Sequence, residues 1–292
     1  MKKTVIKTLI SLSLLTFLFT KVVSIDEVIR ITSGANFVLL SLAFLFILLN
    51  NLTSSLRWKY LIDVAKVKYW FLFRLYFVGN FFNNFMPSSI GGDVYKIVKL
   101  RKVIDDNGPH ATAATFMERF TGLVALAILA SIALMFSGIY PFYYGLLLLV
   151  LFLSGLVFGI FVLYKFHHLH SALEKFYLSF ASFKDKREVV TKAFLLSFLV
   201  QLFAIITQYL VVRSIGIDIP FMFAMFVFPV AGFISFFPIS FNGVGIQEFM
   251  YINLLALIGV SANLAISASI LYFIVRMLSS LLGAVFYYFY ND

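Results

Sequence analysis

Of the 292 residues only 12% are charged and 62% are hydrophobic, with a mean hydropathy of +1.00, whereas a soluble domain carries about 25% charged residues. This excludes a soluble globular domain and points to an integral membrane protein, whose apolar runs are too long and continuous for the alternating strands of a membrane barrel. The net charge of +10 does not mark a nucleic-acid binder, because the basic residues gather at the ends of apolar runs, and the lack of cysteine removes disulfides and thiolate metal sites.

Lys2, Lys3 and Lys7 precede the apolar run from Thr8 to Thr20, which looks like a signal peptide until Thr20-Lys21-Val22-Val23-Ser24 offers no small-residue cleavage site. The run is read as a retained first helix, with Lys7 and Lys21 snorkelling to opposite interfaces. Asp26, Glu27 and Arg30 then make a loop without positive excess, expected outside. The uncharged stretch between Arg30 and Arg57 is a second span, leaving into a basic loop of Arg57, Lys59, Lys66 and Lys68 that is expected in the cytoplasm.

The next segment is apolar from Trp70 but breaks. Asn80, Asn83, Asn84, Pro87, Gly91, Gly92 and Asp93 follow in quick succession, and the segment closes on Lys96, Lys99, Arg101 and Lys102. Broken backbone survives in hydrocarbon only when it is buried in protein or lines a wet cavity. Basic flanks on both sides predict a re-entrant element that enters and leaves by the cytoplasmic face. Beyond Gly108-Pro109 a helix begins near Ala111 and carries Glu118 and Arg119, and the uncharged run from Phe120 to Tyr164 is split by Ser137-Gly138-Ile139-Tyr140-Pro141 into two spans.

Phe166, Leu169, Leu173, Phe176, Phe180 and Phe183 recur at spacings of three and four, predicting an amphipathic helix over about 165–188 that lies in the membrane interface. His167, His168 and His170 within it read as polar-face residues, so no metal is expected. Lys192 and Arg213 bracket another span. Phe221 to Phe237 is apolar but interrupted by Pro229 and Pro238, and it leads into a second broken stretch, Pro238 to Glu248, before the chain turns at Ser261-Ala262-Asn263 and spans again with Arg276 inside.

The expected fold is an all-α polytopic bundle, a single integral membrane domain over 1–292, with six spans, cytoplasmic termini and two broken elements entering from opposite faces. Such opposition is what an inverted repeat produces, with substrate held between the halves.

Several residues are candidates for binding. Gly91 and Gly92 would expose backbone N–H groups where a half-helix begins near Asp93, an anion site by helix dipole; Asp93 is equally a stabiliser of that helix start. Lys96 and Lys99 would grip phosphate or mark the interface. Asn242, Gly243 and Gly245 do not make a nucleotide loop, since no strand precedes them and Glu248 replaces the third glycine. Glu118 and Arg119 diverge by roughly 100° on a helix, so each needs a partner elsewhere: Arg276 or Arg74 for Glu118, Asp93 or Glu248 for Arg119.

Arg57-Trp58, Pro87-x-x-x-Gly91-Gly92-Asp93-x-x-Lys96, Glu118-Arg119, Pro238-x-x-x-x-Gly243-x-Gly245-x-x-Glu248 and Arg276, in that order, resemble the lysylphosphatidylglycerol synthase transmembrane-region family, the flippase-like domain of the multiple peptide resistance factor. Lys96 stands where many relatives have arginine, which keeps the charge but not bidentate phosphate recognition. The resemblance implies a protein of the plasma (inner) membrane that moves a phospholipid or a lipid-linked intermediate between leaflets, without catalysis or cofactor. Its partners would be anionic phospholipid or a polyprenyl-phosphate-linked lipid, and no nucleic acid. The soluble lysyl-transfer domain has no counterpart before Asp292, so aminoacyl transfer is not carried over, and a separate lipid-modifying enzyme is one partner the resemblance allows. Asn84, Gly91, Gly92, Lys96, Arg119, Asn242, Gly243, Gly245 and Arg276 would face the head group. Asp93, Glu118 and Glu248 would bind an amine, a coupling proton or their basic neighbours. The alternatives are an intramembrane lipid transferase or hydrolase, and a non-catalytic partner of a lipid-modifying enzyme.

Overall fold

The computed structural model describes residues 12–13, 16–64, 67–85, 91–104, 110–236 and 244–289. These are mostly helical, with no strand among the described residues. The helices in order are α1 Ile25–Ser33, α2 Phe37–Ile62, α3 Tyr69–Phe85, α4 Gly91–Ile104, α5 His110–Phe136, α6 Phe142–Phe166, α7 Ser171–Ala181, α8 Arg187–Ser214, α9 Phe221–Phe236, α10 Ile246–Ala256 and α11 Ala262–Phe289. Helices α2, α5, α6, α8 and α11 are long and apolar enough to cross a bilayer. The expected first span, Thr8 to Thr20, falls partly outside the described residues.

Helix α2 starts at a side-chain cap. The Asn36 side chain accepts from the Val38 and Leu39 N–H groups and so opens α2. Helix α2 then pairs with α8 along much of its length. Asn36 N–H donates to the Ser214 carbonyl, and at the other end Lys186 reaches Asp63 at 3.0 Å. The two helices are therefore antiparallel. His110 at the start of α5 donates to the Ile62 carbonyl, which places α5 on the Asp63 face. Asn263 at the start of α11 holds the Ser24 N–H and the Glu27 carboxylate, which places α11 on the Ser214 face beside α1.

This arrangement sets the two hairpins in opposition. Helices α3 and α4 leave the Asp63 face and return to it between α2 and α5, while α9 and α10 leave the Ser214 face and return to it between α8 and α11. At 1.5 Å per residue, α3 is about 25 Å long and α10 about 16 Å, short of the roughly 30 Å hydrocarbon core. The packing is reciprocal: α3 lies on α11, and α9 lies on α5. Helix, hairpin, helix thus occurs twice with reversed direction, the arrangement of an inverted repeat.

The packing also departs from expectation in three places. Asp26, Glu27 and Arg30 lie in the short helix α1 and not in a loop, because Val28 packs into a cluster with Leu18, Val23 and Ile266. Arg57 and Lys59 lie within α2, which runs on to Ile62; Trp58, Leu61 and Ile62 are buried, and the side chain of Arg57 is buried with them. The amphipathic stretch is divided. Phe166 ends α6, His167–Leu169 forms a tight turn in which His167 stacks on Tyr177, and only 171–181 forms α7. Phe176 and Phe180 meet Phe116 edge-on, Phe180 also meets Phe120, and Phe183 is buried, so part of the apolar face covers α5, while Phe166, Leu169 and Phe176 remain exposed.

Each hairpin has its own core. Trp58, Leu61, Leu72, Leu100, Ala114 and Met117 pack under α3 and α4, whereas Phe223, Phe228, Tyr251, Leu255, Ala265 and Ala268 pack under α9 and α10. Polar side chains concentrate between the two cores.

Candidate functional site

Helices α3 and α4 touch backbone to backbone. A Cβ built on Gly92 would collide with the Gly79 carbonyl oxygen, so only glycine permits this crossing. The Gly92 N–H is spent on Asn83 Oδ1 at 2.8 Å. The crossing carries Asp93 and Lys96 into the protein, with relative exposures of 5% and 3%.

There they join residues of α2 and α5. Lys96 Nζ lies 3.2 Å from Asp93 and 3.4 Å from Glu118, over the rings of Trp58 and Tyr76. Arg119 Nε donates to Asp93 Oδ2 at 2.6 Å, one of the two pairings expected for it. Glu118 binds neither Arg276 nor Arg74. Its Oε1 accepts from Arg57 at 3.2 Å and from the Tyr76 hydroxyl at 2.7 Å. The sequence places Arg57 in a loop and so hides it as this partner; the signal is the apolar sequence continuing past it. Arg57 also donates to Ser197, which donates to Thr121, tying α8 into the network. The network holds three cations and two carboxylates, one net positive charge among the described residues. Removing one partner from a buried ion pair costs about 3–5 kcal/mol, so these residues are held as a set.

On the opposite hairpin, Gly245 has φ of 88°, a left-handed conformation natural to glycine, and opens α10. Its N–H donates to Glu248 Oε2 at 2.6 Å, while Ser269 donates to Glu248 Oε1 at 3.2 Å. Gly92 and Gly245 therefore satisfy their amide groups within the protein and do not hold them out to a ligand. Asn242 and Gly243 lie outside the described residues, as do Pro87 and Pro238.

Between the hairpins lies a row of adjoining cavities. One of about 180 Å³ is bordered by Arg57, Glu118, Arg119 and Gln201. The next, about 330 Å³, shares Leu126, Gln201 and Gly232 with it and is also lined by Asn83, Asn84, Gln208, Gln247, Tyr272 and Arg276. A third, about 230 Å³, shares Asn83, Asn84, Tyr272 and Arg276 with the second and adds Asn50, Asn51 and Asn80. Asn84 and Arg276, both candidates from the sequence, line the second and third cavities. The other lining amides are not such candidates, although Gln201 and Gln208 are seven residues apart on one face of α8, a spacing readable in the sequence. Gly91 begins α4 at the edge of the charge network.

Three buried side-chain atoms have no hydrogen-bond partner among the described residues: Arg57 Nε, Gln247 Nε2 and Arg276 Nε. All three belong to residues lining these cavities. Each such orphan costs about 1–3 kcal/mol. Arg276 leans on the rings of Tyr272 and Phe273, which fixes its place on α11.

Comparison with known proteins bears on this arrangement. The family model described as the lysylphosphatidylglycerol synthase TM region matches residues 4–283. The chain is also 26% identical over 220 residues to the UPF0104 membrane protein MJ1078 of Methanocaldococcus jannaschii, covering 71% of this chain and 93% of that protein.

Proposed function

The chain belongs to the lysylphosphatidylglycerol synthase transmembrane-region family, and from that premise we propose that it is a lipid flippase, moving a phospholipid or a polyprenyl-phosphate-linked intermediate between leaflets without covalent chemistry. The observation that carries this reading is the polar row of cavities between two opposed hairpins, inside a helix bundle whose outer faces are apolar. A charged head group is costly to bring into hydrocarbon. A cavity lined by amides and Arg276 would replace its water while the acyl chains stay in lipid. The net positive charge that the ion network carries among the described residues, one step along the same row, adds a favourable field for phosphate.

The charge distribution supports an orientation. Lys59, Lys68, Lys99, Arg101, Lys102, Lys184, Lys186 and Arg187 gather towards the Asp63 face, and Asp26, Glu27, Arg30, Arg213 and Asp218 towards the Ser214 face. By the positive-inside rule the Asp63 face is the cytoplasmic one, and membership of the family favours the plasma (inner) membrane. The carboxylates also favour a carrier over a hydrolase. Each oxygen of Asp93 and Glu118 already accepts from a cation, which is unlike a base poised to activate water.

The test is reconstitution in liposomes with head-group-labelled phospholipids, following leaflet exchange by the wild type beside Asp93→Asn and Glu248→Gln proteins that fold. Exchange by the wild type that both variants lose is the expected result. No exchange with any of several lipids would defeat the reading and direct attention to a lipid-modifying activity.

A further inference from the structure

The hydrogen-bonding capacity of the interior is unbalanced, and the imbalance describes the cargo. The three buried carboxylates near the cavities have all six oxygens engaged by protein donors. Asp93 accepts from Lys96 and Arg119, Glu118 from Arg57, Tyr76 and Lys96, and Glu248 from Ser269 and the Gly245 N–H. Several amide oxygens of the lining are engaged as well: Asn51 by Asn80, Asn83 by Gly92, and Gln208 by Tyr251. Among the described residues the buried side-chain atoms without partners are, in contrast, all N–H donors, on Arg57, Gln247 and Arg276. Arg57 and Gln247 are themselves more than nine-tenths buried. An arginine nitrogen can only donate. No carboxylate lines the two cavities that Arg276 borders, among the described residues.

We infer that the head group accepted by these cavities is rich in acceptors and lacks an amine: a phosphate ester carrying neutral hydroxyl groups. Arg276 and Gln247 donate to phosphate oxygens in the middle cavity. The amides of the third, Asn50, Asn51 and Asn80 among them, take the hydroxylated part, because an amide and a hydroxyl can each donate and accept. An ammonium would find no carboxylate there and would stand among donors. The route across the membrane rests on the transport reading above; the head-group preference rests on the donor imbalance alone.

The experiment is binding of short-chain lipids to the detergent-purified full chain by calorimetry. Dihexanoyl phosphatidylglycerol and a short prenyl phosphosugar present the inferred chemistry from two sources, and dihexanoyl phosphatidylethanolamine presents the same phosphate with an amine. At least one of the first two should bind about tenfold or more tightly than the third, and Arg276→Gln and Gln247→Leu should each weaken that binding about tenfold while the lipid-free melting temperature is kept. Gln247→Glu should shift preference towards the ethanolamine lipid. Which of the two acceptor-rich lipids binds more tightly identifies the source. Equal or tighter binding of phosphatidylethanolamine, insensitivity to both Arg276→Gln and Gln247→Leu, or no binding of any of the three would overturn the inference. Selective binding without leaflet exchange would defeat the transport reading and leave this one standing. Exchange of the amine lipid as fast as the others would do the reverse.

Discussion

The α3/α4 hairpin brings Asp93 and Lys96 into a network with Arg57, Glu118 and Arg119 that ties three other helices together. The α9/α10 hairpin, which has the same topology from the opposite face, carries one carboxylate among its described residues, and Glu248 turns it inward on its own helix start and on Ser269. The difference teaches that a repeated topology does not require repeated chemistry. One hairpin is anchored by charge, which excellent geometry must compensate. The other is anchored mainly by apolar packing around Phe228 and Tyr251, and it presents amides to the cavity. Substitutions that separate the two modes of anchoring test this contrast.

The largest effect is expected at Glu118. Glu118→Leu leaves Arg57 and Lys96 without their shared carboxylate, and a loss of about 3–5 kcal/mol in stability is expected, read as a large fall in the thermal unfolding midpoint in detergent. Next comes the hairpin crossing, where Gly92→Ala places a methyl against the Gly79 carbonyl. Forcing these helices apart should cost about 1–3 kcal/mol or more, and crosslinking between cysteines placed on α3 and α4 should lose efficiency in step. On the opposite hairpin Glu248→Gln keeps an oxygen for Gly245 or Ser269, so the loss should be smaller, about 1 kcal/mol. If Glu248→Gln unfolds the protein as readily as Glu118→Leu, the contrast between the hairpins fails. The smallest effect belongs to the partly exposed Lys186–Asp63 pair at the bundle surface. Lys186→Ala should cost no more than about 1 kcal/mol, and the difference should shrink in high salt.

How much of this is legible in the sequence differs from residue to residue. The pairing of Arg119 with Asp93 is foreseeable, because a charge inside an apolar helix must find an opposite charge and few are on offer. Arg57 is not. A basic residue that closes an apolar run is the usual sign of a cytoplasmic boundary, and only the packing of Trp58, Leu61 and Ile62 beyond it shows that the helix continues and carries Arg57 inward. The segment over 165–188 is legible only in part for a related reason. An apolar stripe reports that a face is buried and does not report against what, so Phe176 and Phe180 satisfy the same pattern on α5 as they would in lipid. The amides stand out in apolar helices, yet Asn50, Gln201 and Gln247 come from three helices whose convergence no local pattern encodes.

By itself the sequence determined the solvent, the helical class and the two breaks in the spanning pattern, and it raised the opposition of the two hairpins as an expectation. These follow from local composition, because hydrocarbon admits only backbone that satisfies its own hydrogen bonds and charge marks where the chain leaves it. Tertiary structure alone decided which carboxylate meets which cation, that the Gly92 and Gly245 amides are spent within the protein, and that the remaining donors of Arg57, Gln247 and Arg276 gather on one row of cavities. Those outcomes depend on distances of a few ångströms between residues far apart in the chain. Only the packing of the helices sets them.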